Sequence, residues 1–147
     1  MEWTRDAYLI TDDAARADLD AVHDYLTHSY WAAGIPRETV ARSLRGSLCF
    51  SLFSSGLQSG FARVITDRAT FAYLADVYVL EEHRGRGLSR WMMQIITGHP
   101  DLQGLRRWSL VTRDAHGLYA KCGFKPLAAS DRHMERVDSE IYRREAP

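Results

Sequence analysis

At 147 residues and 46% hydrophobic content the chain is large enough to bury one sizeable core, and one domain spanning 1–147 is expected. Nineteen Lys and Arg balance nineteen Asp and Glu, so bulk charge gives no attraction to nucleic acid or to an anionic membrane surface. No stretch approaches the roughly 18 apolar residues of a membrane span, and the opening "MEWTRDAYLITDD" lacks the plan of a signal peptide, so the cytoplasm is the expected location.

After a short apolar segment, "AYLI", the acidic and alanine-rich "TDDAARAD" leads into Leu19, Val22, His23, Leu26 and Tyr30, whose i, i+3, i+4 spacing predicts a first helix. Gly34 breaks it, Pro36 suits a first helical position, and Val40 with Leu44 predicts a brief second helix stopping at Gly46. From Leu48 the runs "LCFSLF", "LQSGFARVIT" and "TFAYLADVYVL", separated by short turn clusters, read as an antiparallel meander. Leu88, Trp91, Met92, Ile95 and Ile96 share one face of a third helix that Gly98 and Pro100 terminate. "RRWSLVT" then reads as a strand, "DAHGLYAKCGF" as a helix capped by Asp114 and closed by Gly123, and two weaker strand-like pieces finish the chain. This is an α+β, layered plan. The connection from the Phe71 to Leu80 run through the third helix to the Trp108 run is long enough to make those strands parallel. Cys49 and Cys122 stand singly in apolar surroundings and read as buried free thiols, and no metal site is expected.

The stretch "HRGRGLS", His83 to Ser89, joins a strand-like run to a helical one. Glycines before a helix let a ligand approach the backbone, where unpaired N–H groups and the helix dipole attract an anion such as phosphate. The dinucleotide fingerprint would need glycine in place of Arg90, and the GK[ST] ending of the Walker loop is missing. On spacing alone a solvated surface loop is the competing reading.

"RGRGLS", Arg84 to Ser89, resembles the pyrophosphate-binding motif of the GCN5-related N-acetyltransferase (GNAT) superfamily, written R or Q, x, x, G, x, then G or A; Ser89 departs from it. "LADVYVLEEH" before it is similar to the end of the family's fourth strand, and "DAHGLYAKCGFKPL" is similar to its fourth helix. The resemblance implies a mixed, mostly antiparallel central sheet flanked by helices, with two central parallel strands splayed apart. It also implies acetyl-CoA as cosubstrate. The diphosphate would lie on Arg84, Gly85, Arg86, Gly87, Leu88 and Ser89, and the pantetheine arm along the backbone of Val77, Tyr78 and Val79. Acetyl would pass directly to an amine of a small molecule or peptide through a tetrahedral intermediate, with a strand N–H near Val79 facing the oxyanion. Many members pair as dimers, which leaves a homodimer open.

An unperturbed lysine-like amine is free base in only about one molecule in 2,500 at pH 7, so transfer has to overcome about 4.6 kcal/mol of protonation. The leaving thiolate also gains from a donor. The resemblance assigns that donor to Tyr119, although Ala115, Leu118, Tyr119 and Cys122 equally form a core stripe at helical spacing. Asp76 is the first candidate base, because a carboxylate inside "AYLADVYVL" either titrates unusually or is held by backbone hydrogen bonds. Glu81, Glu82 and His116 rank behind it, and a water relay is a further route. In the family the loop between the first two helices shapes the acceptor site; here "HSYWAAGIP" offers Tyr30 and Trp31 as an aromatic wall, unless they are buried under the sheet. The alternatives are a non-catalytic acyl-CoA-binding sensor on the same fold and, on the arginine cluster alone, a nucleic-acid module; neutral net charge and the lack of aromatics among those arginines disfavour the latter.

Overall fold

The computed structural model describes residues 1–145. Strands β1 (Glu2–Arg5) and β2 (Tyr8–Thr11) form an N-terminal hairpin that docks antiparallel on β3 (Leu48–Ser54). β4 (Leu57–Thr66) and β5 (Phe71–Val79) continue the meander, and β6 (Arg107–Ser109) joins β5 in parallel, so the sheet runs in chain order from β1 to β6. Among the described residues, no helix is long and apolar enough to cross a membrane.

The pleat sorts the core to the two faces of this sheet. Helices α1 (Leu19–Thr27) and α2 (Arg37–Arg45) cover one face, where Val22, Leu26, Ile35 and Val40 pack on Cys49, Phe61 and Tyr78. Helices α3 (Leu88–Thr97) and α4 (His116–Ala120) cover the other, where Met92, Met93, Ile96 and Tyr119 meet Ile10, Phe50, Leu52, Val64 and Leu74. Successive strand residues such as Cys49 and Phe50 therefore fall into different clusters, as a two-residue side-chain period requires. The mixed sheet, the flanking helices and the parallel β5 and β6 pair agree with the expected α+β architecture.

Four local expectations are corrected. The segment around "AYLI" is the second arm of a hairpin turned at Asp6 and Ala7, Asp6 taking the left-handed conformation (φ 52°) that two-residue hairpins favour. α1 stops at Thr27, because the Ser29 hydroxyl donates to the Leu26 carbonyl at 2.7 Å and accepts from the Ala32 N–H at 3.1 Å, closing a turn that puts Tyr30 off the helix. α4 is not capped by Asp114; the Thr112 hydroxyl accepts from the Ala115 N–H at 3.0 Å, one turn nearer β6. The terminal strand-like pieces are not strands among the described residues: after Phe124 the chain makes a 3-10 turn at Ser130–Arg132 and a short helix, α5 (Ile141–Glu145), whose Tyr142 packs against the core cluster on the α1 and α2 side.

The hairpin is locked to the end of α3 by a buried polar pair. The His99 ring lies between Trp3 and Phe50, accepts the Asp101 N–H on Nδ1 and donates from Nε2 to Asp12 at 2.8 Å. Burial works to raise the Asp12 carboxyl, but hydrogen bonds from the amino terminus and His99 outweigh it, and the pKa lies below the ordinary value. A depressed carboxyl stabilises the fold above the unfolded-state pKa and loses that contribution as pH falls through the lower folded value. Urea titrations of wild type and Asp12→Asn should therefore differ most at neutral pH and converge as pH falls below the ordinary carboxyl range.

Candidate functional site

The turn before α3 is built from two left-handed glycines, Gly85 (φ 77°) and Gly87 (φ 71°), the second standing at the helix N-cap. Any other residue is strained in this conformation. Among the described residues, the backbone N–H groups of Gly85, Arg86, Gly87, Leu88, Ser89 and Arg90 have no protein acceptor, whereas the Trp91 N–H enters the helical ladder on the Gly87 carbonyl. A Cβ at Gly85 would meet no atom within 4 Å. Six successive unpaired donors at the positive end of a helix make a cradle for an anion. Gly85, Arg86, Gly87 and Arg90 are exposed, while Leu88 is buried and anchors the helix in the core.

Three side chains hold this turn from behind. Arg5 at the end of β1 donates from Nη2 to the Arg86 carbonyl at 3.1 Å while its guanidinium lies 4.8 Å over the Trp91 ring. Tyr8 on β2 shares a 2.9 Å hydrogen bond with His83 Nδ1. Arg84 donates from Nε to the Val79 carbonyl at 2.9 Å and from Nη2 to the Tyr25 hydroxyl at 3.2 Å. The Arg84 guanidinium is thus directed at the end of β5, so among the described residues the loop's cations without a side-chain partner are Arg86 and Arg90. Tyr25 in turn stacks on Tyr78, ring centroids 3.8 Å apart.

β5 pairs with β4 along its length but with β6 only at Phe71, Ala72 and Tyr73. From Leu74 to Val79 its other edge faces no strand among the described residues, which is the expected splay. Within that stretch the register slips: Phe61 faces Tyr78 and Arg63 faces Ala75, so Asp76 and Val77 stand opposite Ala62 alone. Asp76 takes the left-handed conformation (φ 54°), which Asp tolerates better than most residues. Its carboxylate accepts from Arg63 Nε at 2.8 Å and from Trp31 Nε1 at 2.9 Å. Side chains, then, hold Asp76, where hydrogen bonds from the backbone were one of the two alternatives expected.

The loop from His28 to Ile35 reaches across this open edge. Trp31 reaches Asp76 on one side; Tyr30, edge-on to Trp31 at 5.1 Å, accepts from the Arg113 N–H at 3.3 Å on the other, and the Arg113 guanidinium lies 3.8 Å over its ring. Tyr30 and Trp31 are 52% and 40% exposed, so they form a solvent-facing wall rather than part of the core under the sheet. Tyr119 is buried on α4 beside them; burial, with smaller contributions from Tyr30 and Cys122, pushes its hydroxyl up to about 12. It also lines an apolar cleft of about 690 Å³, with Leu110, Thr112, His116 and Phe124, that does not include the glycine turn. Tyr30, Trp31 and Asp76 therefore form one chain of contacts, with Tyr30 close enough to Tyr119 to act on its hydroxyl, while the cleft beside Tyr119 is lined by neither Trp31 nor Asp76.

Residues 45–126 match the model of the acetyltransferase (GNAT) domain. The chain belongs to the GNAT acetyltransferase family. A candidate acetyltransferase of Gibberella zeae is 39% identical over 82% of this chain and 80% of its own. The crystal structure of a candidate GNAT-family acetyltransferase of Xanthomonas campestris superposes with a TM-score of 0.91 and 48% identity, over 95% of this chain and 99% of that one. At 13% identity and a TM-score of 0.64, a GNAT family acetyltransferase of Elizabethkingia anophelis with acetyl-CoA bound shares the fold over 92% of this chain and 90% of its own.

Within this GNAT frame the residues missed by sequence reasoning are Arg5, Tyr25, Arg63 and Arg113. Each acts through a partner distant in sequence, and none sits in a motif. The Arg63 and Asp76 pair is nearly buried, with side chains 15% and 10% exposed. Removing one partner of such a pair leaves the other charge uncompensated. Asp76→Asn keeps a residue that accepts the left-handed backbone but deletes the charge; it should lower unfolding free energy by about 3 kcal/mol in urea titration.

Proposed function

We propose that this protein is an acetyl-CoA-dependent N-acetyltransferase that moves an acetyl group directly onto an amine of a small molecule or peptide. The observation that carries the reading is the run of six unpaired N–H groups from Gly85 to Arg90, continuous with the strandless edge of β5. The cosubstrate's diphosphate fits this cradle, because two glycines leave the donors uncovered and Arg86 and Arg90 add charge around them. Backbone of Val77, Tyr78 and Val79 would hold the pantetheine arm as an added strand. When bound, acetyl-CoA supplies the acyl group as a thioester.

The chain's own residues then have distinct tasks. Arg5, Tyr8 and Arg84 keep the turn in its receptive shape through Arg86, His83 and Val79. Tyr119 holds a hydroxyl proton near the sulfur position. Asp76 positions Trp31, and with it the wall of the acceptor site; each of its oxygens already has a donor, so the amine's proton leaves by water at the open mouth.

The deciding experiment is a CoA-release assay of the purified protein against a broad amine panel, beside a no-acceptor control and CoA calorimetry. Turnover with at least one amine supports the reading; CoA binding with no turnover supports the sensor alternative. Gly87→Val, strained at φ 71°, should lower the thermal midpoint by a few degrees and raise the CoA Kd more than 10-fold at a temperature where the variant is folded, and an unaltered Kd would remove the cradle. Tyr119→Phe should cut kcat about 100-fold. Because the hydroxyl stays protonated up to about pH 12, that loss should be uniform from pH 7 to 10. A deficit confined to one limb of the profile would refute the donor role.

A further inference from the structure

Resting on that acetyl-transfer reading, we propose that the acceptor amine carries an anionic group, a carboxylate in the simplest case, which the Arg113 guanidinium holds at the mouth of the site. Arg113 lies between β6 and α4, in the loop that leads to Tyr119, and it contacts Tyr30, which packs on Trp31, the partner of Asp76. The Arg113 Cζ lies 3.8 Å from the centroid of the Tyr30 ring. An arginine so stacked has already lost much of its side-chain freedom, and its planar fork matches a carboxylate with two parallel N–H donors.

Arg113 differs from Arg5, Arg63 and Arg84 in that its guanidinium is held by no hydrogen bond among the described residues, only by the Tyr30 ring and a long ion pair to Asp114. Arg5 is committed to Arg86, Arg63 to Asp76 and Ser47, and Arg84 to Val79 and Tyr25. The ion pair of Arg113 with Asp114 spans 3.6 Å between side chains that are both about two-thirds exposed, a geometry that stabilises little. Asp76, at the other end of this chain of contacts, shows the reverse pattern, since it already faces Arg63 and the Trp31 indole. A second ammonium on the acceptor, as in a polyamine, gains less from a carboxylate already paired with Arg63, whereas an anion meets a cation whose only ion pair is long and exposed. The exposed ring faces of Tyr30 and Trp31 between them suit an apolar or aromatic body joining the amine to that anion.

The test uses matched acceptors that differ only in the anion: L-phenylalanine, L-phenylalaninamide and 2-phenylethylamine, with the corresponding leucine and methionine sets. CoA release is measured on wild type, Arg113→Gln and Arg113→Lys, with rates corrected for each amine's free-base fraction. The acids should exceed their amides and decarboxylated partners by about 10- to 100-fold in kcat/KM. That gap should close in Arg113→Gln and be partly restored in Arg113→Lys, while CoA affinity by calorimetry stays the same. Equal or better turnover of the uncharged partners, or a preference for acids that survives in Arg113→Gln, overturns the proposal and leaves acetyl transfer standing. CoA binding without turnover of any acceptor in the sets also overturns it. Failure of the wild type to bind CoA removes the acetyl-transfer reading itself.

Discussion

Six peptide N–H groups in a row without a protein acceptor can be kept in one shape only if everything around them is fixed. The constraint falls on Gly85 and Gly87, which supply the left-handed bends, and on α3, whose Leu88, Met92, Met93, Ile95 and Ile96 bury one face and so fix the direction in which the donors point. Burial alone would hold the helix and leave the turn free. The turn is held instead through its carbonyl and side-chain atoms: Arg5 takes the Arg86 carbonyl, Tyr8 meets His83, and Arg84 reaches back to Val79. Two of those three anchors come from the N-terminal hairpin, which explains why so short a hairpin is itself locked by the buried His99 and Asp12 pair. A structural lock at one end of the sheet thereby bears on the receptive geometry of the glycine turn.

The second half of the site depends on β5 being a different strand on its two edges. Toward β4 it pairs over its length, and toward β6 at three positions, so backbone donors and acceptors from Leu74 onward lack a strand partner on that side among the described residues. An open edge of this kind is an aggregation hazard unless something covers it. Here the aromatic loop after α1 meets the strand at Asp76 through Trp31 and is held on its other side by the stack of Arg113 on Tyr30, while Val77 to Val79 stay available for an added strand. The bulge at Asp76 and Val77 adds local twist, and the left-handed Asp76 turns its carboxylate to where Arg63 and Trp31 can both reach it. Meeting the edge at Asp76 and walling the acceptor site are thus achieved by the same residues.

The sequence disclosed what short-range chemistry determines. α1 to α3 follow from apolar periodicity, the meander from strand runs between turn clusters, and the anion turn from glycines whose backbone freedom is visible in their identity. Partnership between distant segments was not legible. β1 and β2 have four residues each, too few to show a period, and become strands by pairing with β3. The strand-like pieces after Phe124 fail for the complementary reason: with no neighbour to pair with, alternation alone does not make a strand. Asp76 stood out as a carboxylate in an apolar run, yet its partners lie 13 and 45 residues away and could not be named. Arg113 was one polar residue among several in "RDAHG", and only the fold lays it on Tyr30.

The burial of Tyr119 sharpens what a phenol can do in this position. A group whose pKa has risen to about 12 is a poor proton source for a thiol of ordinary pKa near 8.5. Full transfer to the thiolate would be uphill by about 5 kcal/mol. The same elevation keeps the hydroxyl protonated, and thus a hydrogen-bond donor, at every pH where an amine is a useful nucleophile. On the proposed reading Tyr119 stabilises developing negative charge on sulfur by donating a hydrogen bond, without giving up its proton, and the proton lost by the amine is the one that finally neutralises the thiolate. Its place in the core stripe with Leu118 and Cys122 does not compete with that role, because the packing that excludes water from the ring is what holds the proton on the oxygen.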